Sequence, residues 1–356
     1  MPYRIEPRAE ASRAMALAAP LLATLLTLLV STLFFLSLGL DPALTLYTFF
    51  VEPLTTLNGV SEWLLKAAPL ILIACGLAIG FRANVWNIGA EGQLIIGAIA
   101  ATGVGLFAPI PESALLLPLM VLAGMLAGAA WAAIPAFLKA RMNTNEILVT
   151  LMLTYVAELI LSYLVHGPWR DPDGFNFPQT ALLPNAGMFG VFDYAYRLNT
   201  SIFFTVIAVI ATWLFMERSF LGYKMSVGGT APAAARFAGF SGAAAIWVGL
   251  LVSGAAAGLA GVTEVAGPLG QLSSQISPGY GFAAIIVAFI GRLNAFGIAL
   301  GGLLLSLLYL GGETAQLSLG LPSSIALIFQ GMLLFFLLAS NFLINFRVRK
   351  IAARTS

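Results

Sequence analysis

Long apolar runs separated by short polar turns recur along the whole chain. A membrane-spanning helix needs about 20 mostly apolar residues. Runs of that kind fall at 16–39, 64–81, 87–107, 115–138, 146–166, 201–216, 242–265, 281–291, 296–312 and 322–345. The pattern predicts an all-α fold, a polytopic transmembrane helical bundle of about ten spans, with 1–356 as a single transmembrane domain. The run 281–291 is too short to cross alone, so it is expected either to be broken or to begin earlier, near Ser277. The N-terminal MPYRIEPRAEASR is too charged for a signal-peptide core, so the first run is read as a retained helix.

Two polar interruptions stand out. The segment 217–241 reads ERSFLGYKMSVGGTAPAAARFAGFS and carries Arg218, Lys224 and Arg236. It predicts a short helix with Thr230 as N-cap, Pro232 in the first turn, Ala233 to Ala235 propagating, and Gly239 closing the end. The segment 167–200 is rich in Pro, Gly, Asn and aromatic residues. A loop of that length is usually functional or disordered, and its aromatics suit either the membrane interface or a partner. Gly124/Gly128, Gly254/Gly258 and Gly297/Gly301 are spaced four apart and predict close helix packing. The stretches FRANVWNIGAEGQLIIG (81–97) and GRLNAFGIALGGLLLS (291–306) both run from an arginine through an asparagine into a Gly-rich span, a faint internal echo.

Composition and charge sharpen this picture. Hydrophobic residues make up 60% of the chain and charged residues 9%, against about 25% charged in soluble domains. Cytoplasmic loops of membrane proteins are enriched in Lys and Arg. With the N-terminus cytosolic, the 17 basic residues split fourteen to three, and only Lys66, Arg170 and Arg197 lie outside. That split predicts that both termini are cytosolic, with 217–241 inside and 167–200 outside.

The chemistry on offer is sparse. The single cysteine, Cys75, excludes a disulfide framework, and the single histidine, His166, leaves little scope for metal or acid–base work. No Gly-x-x-x-x-Gly-Lys-Ser/Thr loop occurs, so any ATP must be bound by another chain. Neither a metal site nor a nucleophile–base constellation is visible, so no catalytic residue is assigned. Polar residues at or in the spans are more informative, because a charge at the bilayer centre costs at least roughly 2.5–3.5 kcal/mol. Asn84, Asn87, Glu91, Gln93, Asn145 and Glu146 are the candidates for a solute path. The competing role for Glu91 and Glu146 is a cap on a helix start. Glu158 lies mid-span, while Glu264 and Glu313 lie near outer ends, within reach of water.

FRANVWNIGAEGQLIIGA, NTNEILVTLMLTYVA and GGTAPAAARFAGF together resemble the membrane permeases of bacterial ATP-binding cassette importers of the ribose/branched-chain amino acid superfamily. They look most similar to the nucleoside branch served by basic membrane lipoproteins. The resemblance covers roughly 60–345. It implies a membrane subunit that carries nucleosides by alternating access in the bacterial inner (cytoplasmic) membrane. The implied partners are an ATP-binding cassette subunit holding ATP and Mg, a second permease (identical or paralogous), an external substrate-binding lipoprotein and the lipid bilayer. No cofactor on this chain and no nucleic acid are implied. Gly228, Thr230, Pro232, Ala233, Arg236, Phe237 and Gly239 match the family's cytosolic coupling helix, although Thr-Ala-Pro stands where the family often has Asn-Pro. A sugar permease of the ribose type and an ion-driven secondary transporter are the alternatives.

Overall fold

The computed structural model describes residues 3–7, 13–322, scattered positions between 324 and 339, and 346–350. In chain order the elements are β1 (Tyr3–Pro7), α1 (Arg13–Ser37), α2 (Pro42–Phe50), α3 (Leu57–Arg82), α4 (Ala90–Phe107), α5 (Leu116–Met142), α6 (Glu146–His166), α7 (Ile202–Arg218), α8 (Phe220–Thr230), α9 (Pro232–Phe237), α10 (Gly242–Glu264), α11 (Tyr280–Ile290), α12 (Ala295–Leu319) and β2 (Phe346–Lys350). They divide into two units, Met1–Thr56 with Leu307–Ser356, and Leu57–Ser306.

The protein is helical, as the apolar pattern requires, and the described residues account for fewer than the ten expected spans. Among the described residues six helices are long and apolar enough to cross a membrane: α3, α4, α5, α6, α12, and α10 together with the π-turn Val265–Leu269 that extends it. A seventh candidate is the pair α7–α8, which bends by 71°. Helix α11 has 11 residues and falls short of a span. The expected span 322–345 lies largely outside the described residues.

The break between α7 and α8 has a local cause. Ser219 takes an extended conformation, donates its hydroxyl to Phe215 O at 2.6 Å and accepts from Gly222 N at 2.9 Å. It therefore ends one helix and caps the next.

The larger unit is built around α3 and α10. Helix α3 is buried from Ala67 to Phe81. Helices α4, α5 and α10 meet through glycines: a Cβ on Gly128 would stand 2.8 Å from Gly258 Cα, and one on Gly254 would stand 2.6 Å from Gly128 O. The Gly124/Gly128 and Gly254/Gly258 pairs are thus the surfaces through which α5 and α10 pack against each other. The Gly297/Gly301 pair packs α12 against the end of α11, near Gly291 and Ile290.

The two echoing stretches adopt related local forms. Each leaves a helix through a left-handed residue, Asn84 in one and Arg292 and Leu293 in the other. In each an asparagine, Asn87 or Asn294, accepts the N–H two residues on. Phe81, Trp86 and Phe289 stack between the two turns, with centroids 5.1–5.7 Å apart.

In the smaller unit Asp41 caps α2 through Ala43 N at 2.8 Å. Phe35, Phe49 and Phe329 cluster there as fully buried rings. Strands β1 and β2 pair antiparallel from Tyr3↔Lys350 to Pro7↔Phe346. This ribbon is the departure from an all-α reading. It lies in the charged tails, where no apolar period announced it.

Ion pairs mark the two ends of α3. Glu62 binds Arg197 of the loop 167–200 at 2.6 Å, and Arg82 binds Glu217 at 3.1 Å. The two long polar segments therefore lie at opposite ends of that helix.

Candidate functional site

The chain between α3 and α4 is a non-helical turn with a buried asparagine, Asn87, at its centre. Asn87 donates through Nδ2 to Gln93 Oε1 at 2.7 Å and to Ser253 Oγ of α10 at 2.8 Å. Its Oδ1 accepts from Gly89 N at 3.1 Å and from Gln93 Nε2 at 3.2 Å. Thr150 of α6 accepts from Ile88 N at 3.2 Å. The turn is thus tied to three helices by side chains that are themselves buried. Glycine is required at position 89, where a Cβ would stand 2.9 Å from the Thr150 Cβ and closer still to the Thr150 backbone.

One turn further, Glu91 is 4% exposed and accepts from Gly281 N at 2.6 Å. Gly281 lies in the first turn of α11, so the carboxylate caps a different helix from its own, and that helix's positive end meets its charge. Ser277 Oγ accepts from Gly279 N and Tyr280 N at 3.2 and 3.0 Å, completing the cap. A cavity of about 130 Å³ opens beside Glu91, lined by Glu158 and Ser162 of α6 and by Ser274 and Ser277 of the segment before α11.

Other candidate path residues are placed elsewhere. Asn145 caps α6 through Ile147 N at 3.0 Å, and Glu146 pairs with Lys139 at 2.9 Å. Asn84 is exposed and accepts from Trp86 Nε1 at 3.0 Å. Asn87, Glu91 and Gln93 are brought together; Asn84, Asn145 and Glu146 are engaged in local contacts of their own.

In the segment 217–241, Pro232 opens α9, and Gly239, at φ +75°, closes it with Gly239 N bonded to Arg236 O at 3.0 Å and Phe240 N to Ala235 O at 2.9 Å. The expectation for Thr230 is corrected. It ends α8, its hydroxyl donating to Ser226 O at 2.9 Å, and the N-cap position of α9 is Ala231, which offers no side-chain cap. Ala233 is exposed and Ala235 is the buried residue of α9, while Phe237 is 98% exposed. Gly228, Arg236 and Gly239 border a groove of about 310 Å³ between α8, α9 and α10. Lys224 lies 4.5 Å from the Phe220 ring and 5.5 Å from the Phe240 ring, clamping α8 to the segment that follows α9.

Residues 59–338 match the profile of the branched-chain amino acid transport system permease component. The chain belongs to that family. A glucose ABC transporter permease of Haloferax volcanii is 37% identical over 97% of this chain and 93% of its own length. A guanosine ABC transporter permease of Bacillus subtilis is 30% identical over 93% of this chain and 95% of its own length. A nucleoside ABC transporter permease of Lactococcus lactis is 28% identical over 94% and 93%. No solved structure shows a significant match. The protein is a membrane permease subunit of an ABC transporter.

Several site residues of the permease carry weak sequence signals. Ser253 sits in a Gly/Ala-rich helix and Ser277 in a loop, and a lone serine in either place has many roles. The mid-span position of Glu158 was the one readable sign. Among the described residues no group of three or more His, Cys, Asp or Glu side chains is placed to hold a metal ion. Replacing Asn87 with alanine should destabilise the permease by about 1–3 kcal/mol for each buried partner left unsatisfied. Thermal unfolding in detergent measures this, and an unchanged midpoint would show that the network does not hold the turn.

Proposed function

We propose that the permease is the membrane subunit of an importer that carries nucleosides by alternating access. In this account it crosses the membrane about ten times, keeps both termini in the cytosol and resides in the bacterial cytoplasmic membrane. It pairs with a second permease, receives solute from an external binding lipoprotein, and is driven by a subunit that binds ATP and Mg. The chain does no covalent chemistry. It offers contacts that differ between two states, which is all a ligand-linked conformational change requires.

The observation that carries the reading is the junction between the segment 217–241 and the polar turn. A Cβ on Gly229, in the last turn of α8, would stand 3.0 Å from the carbonyl carbon of Ala83. Met225 of α8 and Val85 of the turn share one buried cluster with Leu250 of α10. A push on α9 would reach, through α8, the residues that position Asn87, Gln93 and Glu91. Phe237 is the natural anchor for a partner groove, being large, apolar and unsupported by its own chain.

Two of the relatives above are named for guanosine or nucleosides, which favours a nucleoside. The second reading, a sugar, is favoured by the glucose permease. Competition separates them. Uptake of a labelled nucleoside by the assembled importer should fall in the presence of unlabelled nucleosides and hold in the presence of equal free ribose or glucose. The opposite ranking would assign the sugar.

A further inference from the structure

Glu158 is the thirteenth residue of the 21-residue α6, yet it is exposed. Among the described residues no hydrogen bond or salt bridge engages it. A carboxylate at that depth cannot face hydrocarbon without a large penalty, so its face of α6 must meet water or a polar partner. Tyr155 and Ser162, three residues before and four after, are exposed on the same face. The cavity beside Glu91 is therefore a polar recess reached from an aqueous side.

Its chemistry is specific. Two carboxylates and three serine hydroxyls supply several acceptors and a few donors, with Ile95, Leu161 and Ile276 between them. Vicinal hydroxyls need paired acceptors, and the apolar side chains suit the C–H face of a ring. A bare cation is a poorer match. One of the carboxylates is already offset by the start of α11 through Gly281 N. The volume of about 130 Å³ lies below the roughly 300–1,000 Å³ of a whole-ligand pocket. It has room for one ring and its hydroxyls, and none for a two-ring base as well.

We propose that this cavity holds the hydroxyl-bearing ring of the solute, with Glu91 and Glu158 accepting from adjacent hydroxyls and any base left outside, on the exposed face of α6. The proposal rests on the transport reading above and adds the part of the solute that is recognised. It makes the diol the required feature and the base the tolerated one.

The single cysteine, Cys75, is buried, so Ser162→Cys adds one accessible thiol to this chain. In membranes carrying the complete importer, N-ethylmaleimide labelling of this chain is followed by mass spectrometry. A nucleoside at ten times its Kd should slow labelling about tenfold. Free ribose at saturation, far above the equal concentration used in the uptake competition, should do the same, whereas the free base and the 2′,3′-dideoxynucleoside should not. Glu158→Gln in the same background should abolish most of the protection. Ser274→Cys serves as a second reporter on the opposite wall, for use if the first variant fails to assemble. Equal protection by base and nucleoside, or none at either reporter while uptake proceeds, would overturn the proposal. Protection by ribose in an importer that carries sugar and no nucleoside would uphold the ring site and discard the nucleoside reading.

Discussion

Gly258→Leu should abolish accumulation of folded permease. Gly258 is the point where three helices converge: Gly97 of α4 lies against its backbone on one side, and Gly124 and Gly128 of α5 on the other. A Cβ alone would stand 3.1 Å from Gly128 Cα and closer still to the Gly124 carbonyl oxygen. The obstacles are backbone atoms, which cannot rotate away as a flexible side chain would. Overpacking a core typically costs about 1–3 kcal/mol, and a leucine here should exceed the top of that range. Because total stability is only about 5–15 kcal/mol, such a loss is enough to divert the chain to degradation. Five residues earlier on the same helix, Ser253 holds Asn87, so a displaced α10 would also open the polar network. Gly242→Leu is the control, since nothing lies within 4 Å of a Cβ at that end of α10. Size-exclusion profiles of fluorescently tagged protein should show a monodisperse peak for the control and none for Gly258→Leu. A normal peak for Gly258→Leu would refute the close-packed account of α4, α5 and α10.

Phe237→Asp should leave the fold intact and stop transport. The side chain is 98% exposed, so its own chain loses nothing when it is replaced. An aromatic anchor in a partner groove is typically worth about 2–4 kcal/mol. At 1.4 kcal/mol per decade that corresponds to roughly 30- to 1,000-fold weaker association with the ATPase. Ala235→Asp on the same helix should behave differently, because Ala235 is buried at the groove bordered by α8 and α10. It should lower folded yield as well as transport. Co-purification of the ATPase and ATP-driven uptake, both normalised to folded permease, distinguish the two. Undiminished uptake in Phe237→Asp would remove α9 as the docking element.

Much of the bundle was legible because a spanning helix announces itself by length. The expected run 146–166 coincides with α6, and 242–265 with α10 to within a residue. The start of α4 was misplaced by three residues because Asn87, Ile88 and Gly89 use side-chain hydrogen bonds instead of helical ones. Helix α8 had no sequence signature. FLGYKMSVGGT carries three glycines, each unfavourable in a helix, and the segment is helical because Met225 is buried and Gly222 and Gly229 let it press against Phe215 and Arg82.

Glu264 reads as an outer-end residue within reach of water, yet it is buried. The π-turn extends α10 beyond it, and the loop 167–200 folds back onto that extension through Phe189 N to Ala266 O and Leu183 N to Gly270 O, both at 2.8 Å. That long loop is therefore an ordered part of the larger unit, which its Pro, Gly and Asn content could not reveal. The candidate site followed the same rule. Asn87, Glu91 and Gln93 were readable as polar residues entering a span. Their partners Ser253, Gly281 and Ser277 come from more than 150 residues away and are fixed only by the packing of α10 and α11.

The central claim is that force enters through the segment 217–241 from an ATP-consuming partner and reaches the polar turn and the cavity beyond it. Uptake of a labelled nucleoside into proteoliposomes holding the permease pair, the ATPase and the binding lipoprotein tests it directly. Uptake should require ATP and Mg, ignore the collapse of ion gradients, and vanish with Phe237→Asp while folded protein persists. Uptake that survives ATP depletion and follows an ion gradient would contradict the account and identify a secondary transporter.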